Sequence, residues 1–252
     1  MRLALHAEWT KMRTVAGPLW LMLGTVAATV ALSAVATSVV SCTASGCGGD
    51  TTKVTLMGVY LGQALVGIMA VLIISGEYST GMIRTTLTAM PRRATAFAAK
   101  AIALTGVVAV GGTVAVLGSV LAGRLILPDL GDQALSLSHG PTLRAVVGTV
   151  LYLILIGLLS LGIATAVRDS ATSIGAVLGL LYILPIVSET IGDPGWRRPL
   201  EKIAPMSAGL AIQATTDLGS LPISPWSGLG VTAGWAAAAL LAGGLLLCRR
   251  DT

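Results

Sequence analysis

Charged side chains are scarce: 11% of the chain is Asp, Glu, Lys or Arg, against about a quarter in soluble globular domains. With 54% hydrophobic residues and a mean hydropathy of +0.87, that scarcity excludes an ordinary water-soluble fold. Histidine is nearly absent, at two residues (His6 and His139), and HExxH does not occur. Neither a metalloprotease helix nor a buried serine–histidine pair can be assembled from these residues. The chain has no GxxxxGK[ST] phosphate loop, so it cannot hydrolyse ATP by that device. Its three cysteines show no metal-binding spacing, and no metal site is expected. Aromatics amount to 4%, with one Phe, Phe97.

What is present is length without charge. Six uncharged runs stand out: Thr14–Gly49, Val54–Gly76, Ala101–Gly123, Ala145–Val167, Ser170–Ser188 and Leu218–Cys248. Crossing about 30 Å of hydrocarbon takes roughly 20 residues as helix. The first and last runs exceed one span, so their helices are placed near Pro18–Val40 and Trp226–Cys248. The fifth is the shortest and contains Pro185. The expected fold is an all-α membrane protein with six transmembrane helices, one transmembrane domain over 1–252. Cleavage of the first run as a signal is disfavoured. About fourteen residues including Glu8 precede it, and it exceeds the roughly 7–15 residues of a signal core.

No span carries Asp, Glu, Lys, Arg or His in its middle. Ion-coupled carriers usually keep such groups as relays, so proton-driven transport is disfavoured. A secondary carrier or channel-like protein without an ATPase is the alternative to an energised machine; an intramembrane enzyme is weaker still.

Lys and Arg decide orientation. The terminal side collects Arg2, Lys11, Arg13, Arg84, Arg92, Arg93, Lys100, Arg168, Arg249 and Arg250, ten residues. The other side holds Lys53, Arg124, Arg144, Arg197, Arg198 and Lys202, six residues. Both termini and the Glu77–Lys100 stretch are therefore expected in the cytoplasm. The net charge of +5 matches a protein facing an anionic leaflet rather than nucleic acid. Twelve Arg against four Lys, with spans built from Ala, Val, Leu and Gly, suggests a GC-rich bacterial genome and hence a bacterial plasma membrane.

The stretch 77–100, EYSTGMIRTTLTAMPRRATAFAAK, is too elaborate for a mere connection. Met82, Ile83, Leu87 and Met90 can form an apolar helix face, with Arg84 and threonines opposite. Gly81 permits a tight turn, Pro91 ends the helix, and Arg92 and Arg93 start the return into span three. Glu77 follows span two directly. A carboxylate at bilayer depth costs about 2.5–3.5 kcal/mol, so it should lie at the boundary and pair with a cation such as Arg84 or Arg93. The bland reading of Arg92, Arg93 and Lys100 is topology anchoring.

Two further elements follow from pattern. Leu5, Trp9, Met12 and Ala16 recur at helical spacing, with Arg2, His6, Thr10, Lys11 and Arg13 on the other faces. Residues 1–14, with Leu5, Glu8, Trp9, Lys11 and Arg13, thus read as an interfacial helix on the membrane lipid. Cys42 and Cys47 lie five apart in SCTASGCGGD, as a disulfide or two free thiols. Gly58–Gly62, Gly175–Gly179 and Gly230–Gly234 are spaced for close helix approach, and internal packing is the expected use of each.

The opening HAEWTKMRT, the stretch GEYSTGMIRTTLTAMPRR with Lys100 following, six spans and a closing RRD resemble the membrane subunits of ABC exporters. The chain is most similar to the ABC type-2 permease family. The likeness covers the whole chain in architecture and is motif-specific in about forty residues. It implies a cytoplasmic coupling helix between spans two and three that docks on an ATPase through Glu77, Tyr78, Gly81, Met82, Arg84, Leu87, Pro91, Arg92 and Arg93. It implies an outside segment, 189–225, of short broken helices dipping back toward the membrane. It also implies a second permease copy or relative, two soluble ABC ATPase subunits that hold the ATP and Mg, and no cofactor in this chain. Spans two and five would line the path, where Tyr60, Gln63, Tyr182 and Pro185 are the polar or helix-bending residues. An uncharged path suits an amphipathic or apolar cargo such as a drug, antibiotic, lipid-like molecule or hydrophobic peptide.

Overall fold

A computed structural model of the chain describes Thr10 and residues 16–39, 42–43, 46–47, 50–79, 93–127, 135, 139–190 and 193–249. Six of its helices are long and apolar enough to cross a membrane. Span one is α1 (Ala16–Ser38). A two-residue pair, β1 (Cys42–Thr43) and β2 (Gly46–Cys47), and a short helix, α2 (Thr51–Thr55), lead to span two, α3 (Val59–Ser79). Span three is α4 (Arg93–Ile126) and span four is α5 (Gly140–Val167). The 34 residues of α4 extend for about 51 Å. That is well beyond a bilayer core, because no proline occurs between Pro91 and Pro128 to stop the helix.

Span five is broken in register. It comprises α6 (Ser170–Leu178), a π-helical turn (Gly179–Ile183) and α7 (Leu184–Thr190). Pro185 has no N–H to offer the Leu181 carbonyl, and its ring crowds that carbonyl, so the turn before it widens. Spans four and five are joined by two residues only, Arg168 and Asp169. Arg168 is left-handed (φ 67°) and closes α5 by donating its N–H to the Ala164 carbonyl. Asp169 then caps α6 by accepting from Thr172 N at 2.7 Å.

The segment after span five forms α8 (Pro194–Ile203) and α9 (Pro205–Leu210), with 3-10 turns at Ala211–Gln213 and Leu218–Ser220. It leads into span six, α10 (Pro225–Arg249). The expected short broken helices are present.

Spans two and four bury more than half of their most apolar turns, whereas spans one, five and six bury less than a quarter. The core is built around α3 and α5, where Val66, Met69, Leu104, Val108, Leu153 and Ile156 interlock. Two close approaches set its shape. A Cβ on Gly58 would fall 1.9 Å from the Thr29 carbonyl oxygen, so span two touches the span-one backbone there. A Cβ on Gly162 would fall 2.4 Å from the Ala239 carbonyl carbon, so spans four and six also meet at their backbones. Gly58–Gly62 thus packs internally as expected. Gly175, Gly230 and Gly234 do not: among the described residues nothing lies within 4 Å of an added Cβ at any of them. Glycine spacing makes a close approach available, but spans five and six are peripheral, and these glycines point away from the bundle.

Candidate functional site

At one end of the bundle, Glu77 sits three residues from the end of α3, and Lys100 sits eight residues into α4. Lys100 Nζ donates to Glu77 Oε1 at 2.9 Å, and both side chains are 5% exposed. Removing two such charges from water carries a penalty of several kcal/mol per ion. Each charge therefore depends on the other, and together they clamp the last turn of span two to the first turns of span three. Beside them the Arg168 guanidinium lies over the Tyr78 ring, 5.5 Å from its centroid. This cation–π contact brings the turn between spans four and five to the end of span two.

At the opposite end, Asp50 is a hub. Its carboxylate caps α2 by accepting from Lys53 N at 3.2 Å. It also accepts from the Thr215 hydroxyl at 2.7 Å, the Thr216 N–H at 3.1 Å and the Thr215 N–H. Burial pushes this carboxyl up, but the four donors outweigh it and hold it below the ordinary aspartate range. Arg144 donates to the neighbouring Ala214 carbonyl, and Gln213 Nε2 donates to the Thr149 hydroxyl at 3.3 Å. Deeper, Thr232 donates to the Pro205 carbonyl at 3.1 Å, and Trp235 Nε1 donates to the Ile203 carbonyl at 2.9 Å. Trp235 is ten residues into α10, about 15 Å along its axis. Residues 204–214 are buried apart from half-buried Ser207. The segment thus turns inward along spans four and six.

Between the two ends, Tyr152 donates to Gln63 Oε1, and the Tyr182 hydroxyl donates to the Tyr60 carbonyl. Tyr60, Tyr182 and Pro185 are half-buried. Gln63 and Tyr152 are fully buried, so in this conformation Gln63 faces its tyrosine partner rather than an open surface.

The family described as "ABC-2 family transporter protein" matches residues 55–252. That is most of the chain, with spans two to six, the Glu77–Lys100 end and the Thr215 side of the other end, but not Asp50 itself. The chain belongs to the ABC-2 transporter family. No curated protein matches it. Membership makes it the membrane component of an ABC transporter, a multi-pass chain associated in general with ABC ATPase components.

Of the residues expected to face the ATPase in this ABC-2 protein, Glu77 and Tyr78 lie in α3, and Arg93 is the first residue of α4. Gly81, Met82, Arg84, Leu87, Pro91 and Arg92 lie outside the described residues, as do Leu5, Glu8, Trp9, Lys11 and Arg13. Among the described residues Glu77 holds Lys100, which sequence reasoning treated as an anchor; Arg84 lies outside them. A signal was available: Lys100 is the sole charge in ATAFAAKAIALTG, and a lone cation on an apolar helix needs a buried counter-charge. Arg168, Tyr152 and Asp50 were missed as contacts; nothing local in sequence marks their partners. Cys42 and Cys47 pair directly across the β1–β2 ladder. Among the described residues no group of three or more His, Cys, Asp or Glu is placed to hold a metal.

Proposed function

We propose that the chain is the permease subunit of an ATP-driven exporter, paired with a second copy or a related permease and with two soluble ATPases. The supporting observation is the buried Glu77–Lys100 pair. It joins the two helices that flank residues 80–92, so a push on that segment moves spans two and three as a unit. The Tyr78–Arg168 stack carries the same displacement to spans four and five. ATP and Mg belong to the ATPases. In this reading, residues 77–100 and both termini face the cytoplasm of a bacterium, and the N-terminal 1–14 helix lies on the inner leaflet. The segment 189–225 faces outside. Paired bundles then alternate between inward- and outward-open states. The spans carry no charge at mid-depth, which suits an amphipathic or apolar cargo. Half-buried Tyr60, Tyr182 and Pro185 on spans two and five are the residues expected to meet it.

The experiment is copurification followed by transport. The chain should bring down a separate phosphate-loop ATPase in equal numbers of the two subunits. Glu77→Ala should insert at normal levels, since loss of a carboxylate makes the segment more apolar, yet abolish ATP-dependent export. Transport by the chain with no ATPase present would overturn the reading in favour of a secondary carrier.

A further inference from the structure

The tally of Lys and Arg has one discordant cluster, Arg197, Arg198 and Lys202, which crowd the minority side. In the structure all three lie on α8. At helical spacing Trp196, Pro199, Leu200 and Ile203 share one face, and Arg197, Arg198, Glu201 and Lys202 share the other. The helix rests on the bundle only by an edge. Leu200 and Glu201 are partly covered, whereas Trp196 is 69% and Ile203 58% exposed. The apolar face of α8 therefore looks outward, beside the cationic face rather than beneath it.

Depth agrees with this arrangement. The C-terminal end of α8 is held by Trp235, about 15 Å along span six, while its N-terminal end adjoins the end of span five. The helix thus slopes across the zone where an apolar span gives way to water. Arg197 is engaged by Glu201 at 2.7 Å, which raises its pKa further. Arg198 and Lys202, four residues apart and both exposed, have no ion-pair partner among the described residues. On a helix, residues at that spacing are neighbours. Their stems can lie along the apolar zone with the charged ends at headgroup level.

We infer that α8 is a lipid-contact element whose exposed Trp196–Ile203 face meets the acyl chains and whose Arg198–Lys202 pair binds the phosphate of an anionic phospholipid. A zwitterionic lipid would satisfy the apolar face equally but cancel the attraction to the pair. The inference does not depend on which leaflet this end faces.

The test uses the full chain in nanodiscs containing equal amounts of phosphatidylglycerol and phosphatidylcholine, with spin-labelled versions of each lipid reporting the protein-immobilised fraction. The wild type should immobilise phosphatidylglycerol preferentially. Arg198→Gln with Lys202→Gln should reduce that preference by up to about five-fold per charge removed. Arg198→Lys with Lys202→Arg should retain it. Both side chains are exposed, so the thermal midpoint in detergent should not move. Trp196→Ser should weaken contact with both lipids without changing their ratio. Equal immobilisation of the two lipids by wild type, or an undiminished preference in the Gln pair, would overturn the inference. Displacement of the lipid by inorganic phosphate at constant ionic strength would also overturn it, assigning the pair to a soluble anion.

Discussion

The two ends of the bundle hold their carboxylates in opposite ways. Glu77 is buried and is met by a full positive charge on Lys100. Asp50 is half-buried and is met by the Lys53, Thr215 and Thr216 N–H groups and a threonine hydroxyl. The first arrangement removes a full counter-charge from a dry site when one partner is lost. The second distributes its load over several neutral donors, with water close by. The Glu77 end is therefore brittle and the Asp50 end graded. Under the proposed transport function, that difference suits an end that moves as one piece and an end that holds an inward-turned segment in place.

The strongest way to break the comparison is Lys100→Met. It removes a counter-charge from the buried Glu77 carboxylate and should destabilise the protein by up to about 3–5 kcal/mol, measured by chemical denaturation in detergent. Glu77→Gln combined with Lys100→Met leaves no bare charge and should recover most of that loss. If single and double variants are equally unstable, the pair is not the clamp described here.

Next comes the close packing that replaces charge at the Asp50 end. Gly58→Val drives a side chain into the Thr29 carbonyl and should cost about 1–3 kcal/mol or more. Equal stability to wild type in the same denaturation assay would show that spans one and two can part without penalty.

Asp50→Asn should lose less, about 1–2 kcal/mol at neutral pH, with partial exposure reducing the electrostatic share. Because the folded carboxyl is held below its unfolded value, its contribution is fully present above the unfolded pKa. It is lost as pH falls through the folded one. The gap between wild type and Asp50→Asn should accordingly close below about pH 4. A gap independent of pH would mean that the charge of Asp50 contributes nothing. The smallest effect is expected at Gly234→Val, within about 0.5 kcal/mol, since nothing lies within 4 Å of the added carbon.

Much of the fold was legible because the signals are local in sequence. Uncharged runs placed five of the six spans to within about five residues, while α4 starts at Arg93, eight residues before its run; Pro185 marked the widened turn of span five. Five prolines from Pro194 to Pro225 marked the broken helices between spans five and six. Glu77 stood out because a carboxylate so near a span needs a partner. Its partner did not, since Lys100 and Arg93 are equally cationic and, seven residues apart, fall on nearly the same face of α4.

The amino-acid order alone thus determined that this chain crosses a membrane, how many times, and roughly where each crossing lies. Hydropathy and helix-breaking residues act over one or two turns and can be read in place. Only the tertiary structure decided that Glu77 meets Lys100, that Gln63 meets Tyr152, and that Asp50 meets Thr215 at a separation of 165 residues. It alone decided that Gly58 faces inward while Gly230 and Gly234 face outward. Those outcomes depend on the rotation of each helix about its axis relative to its neighbours. That rotation is set by packing among all six helices at once and is written in no single segment.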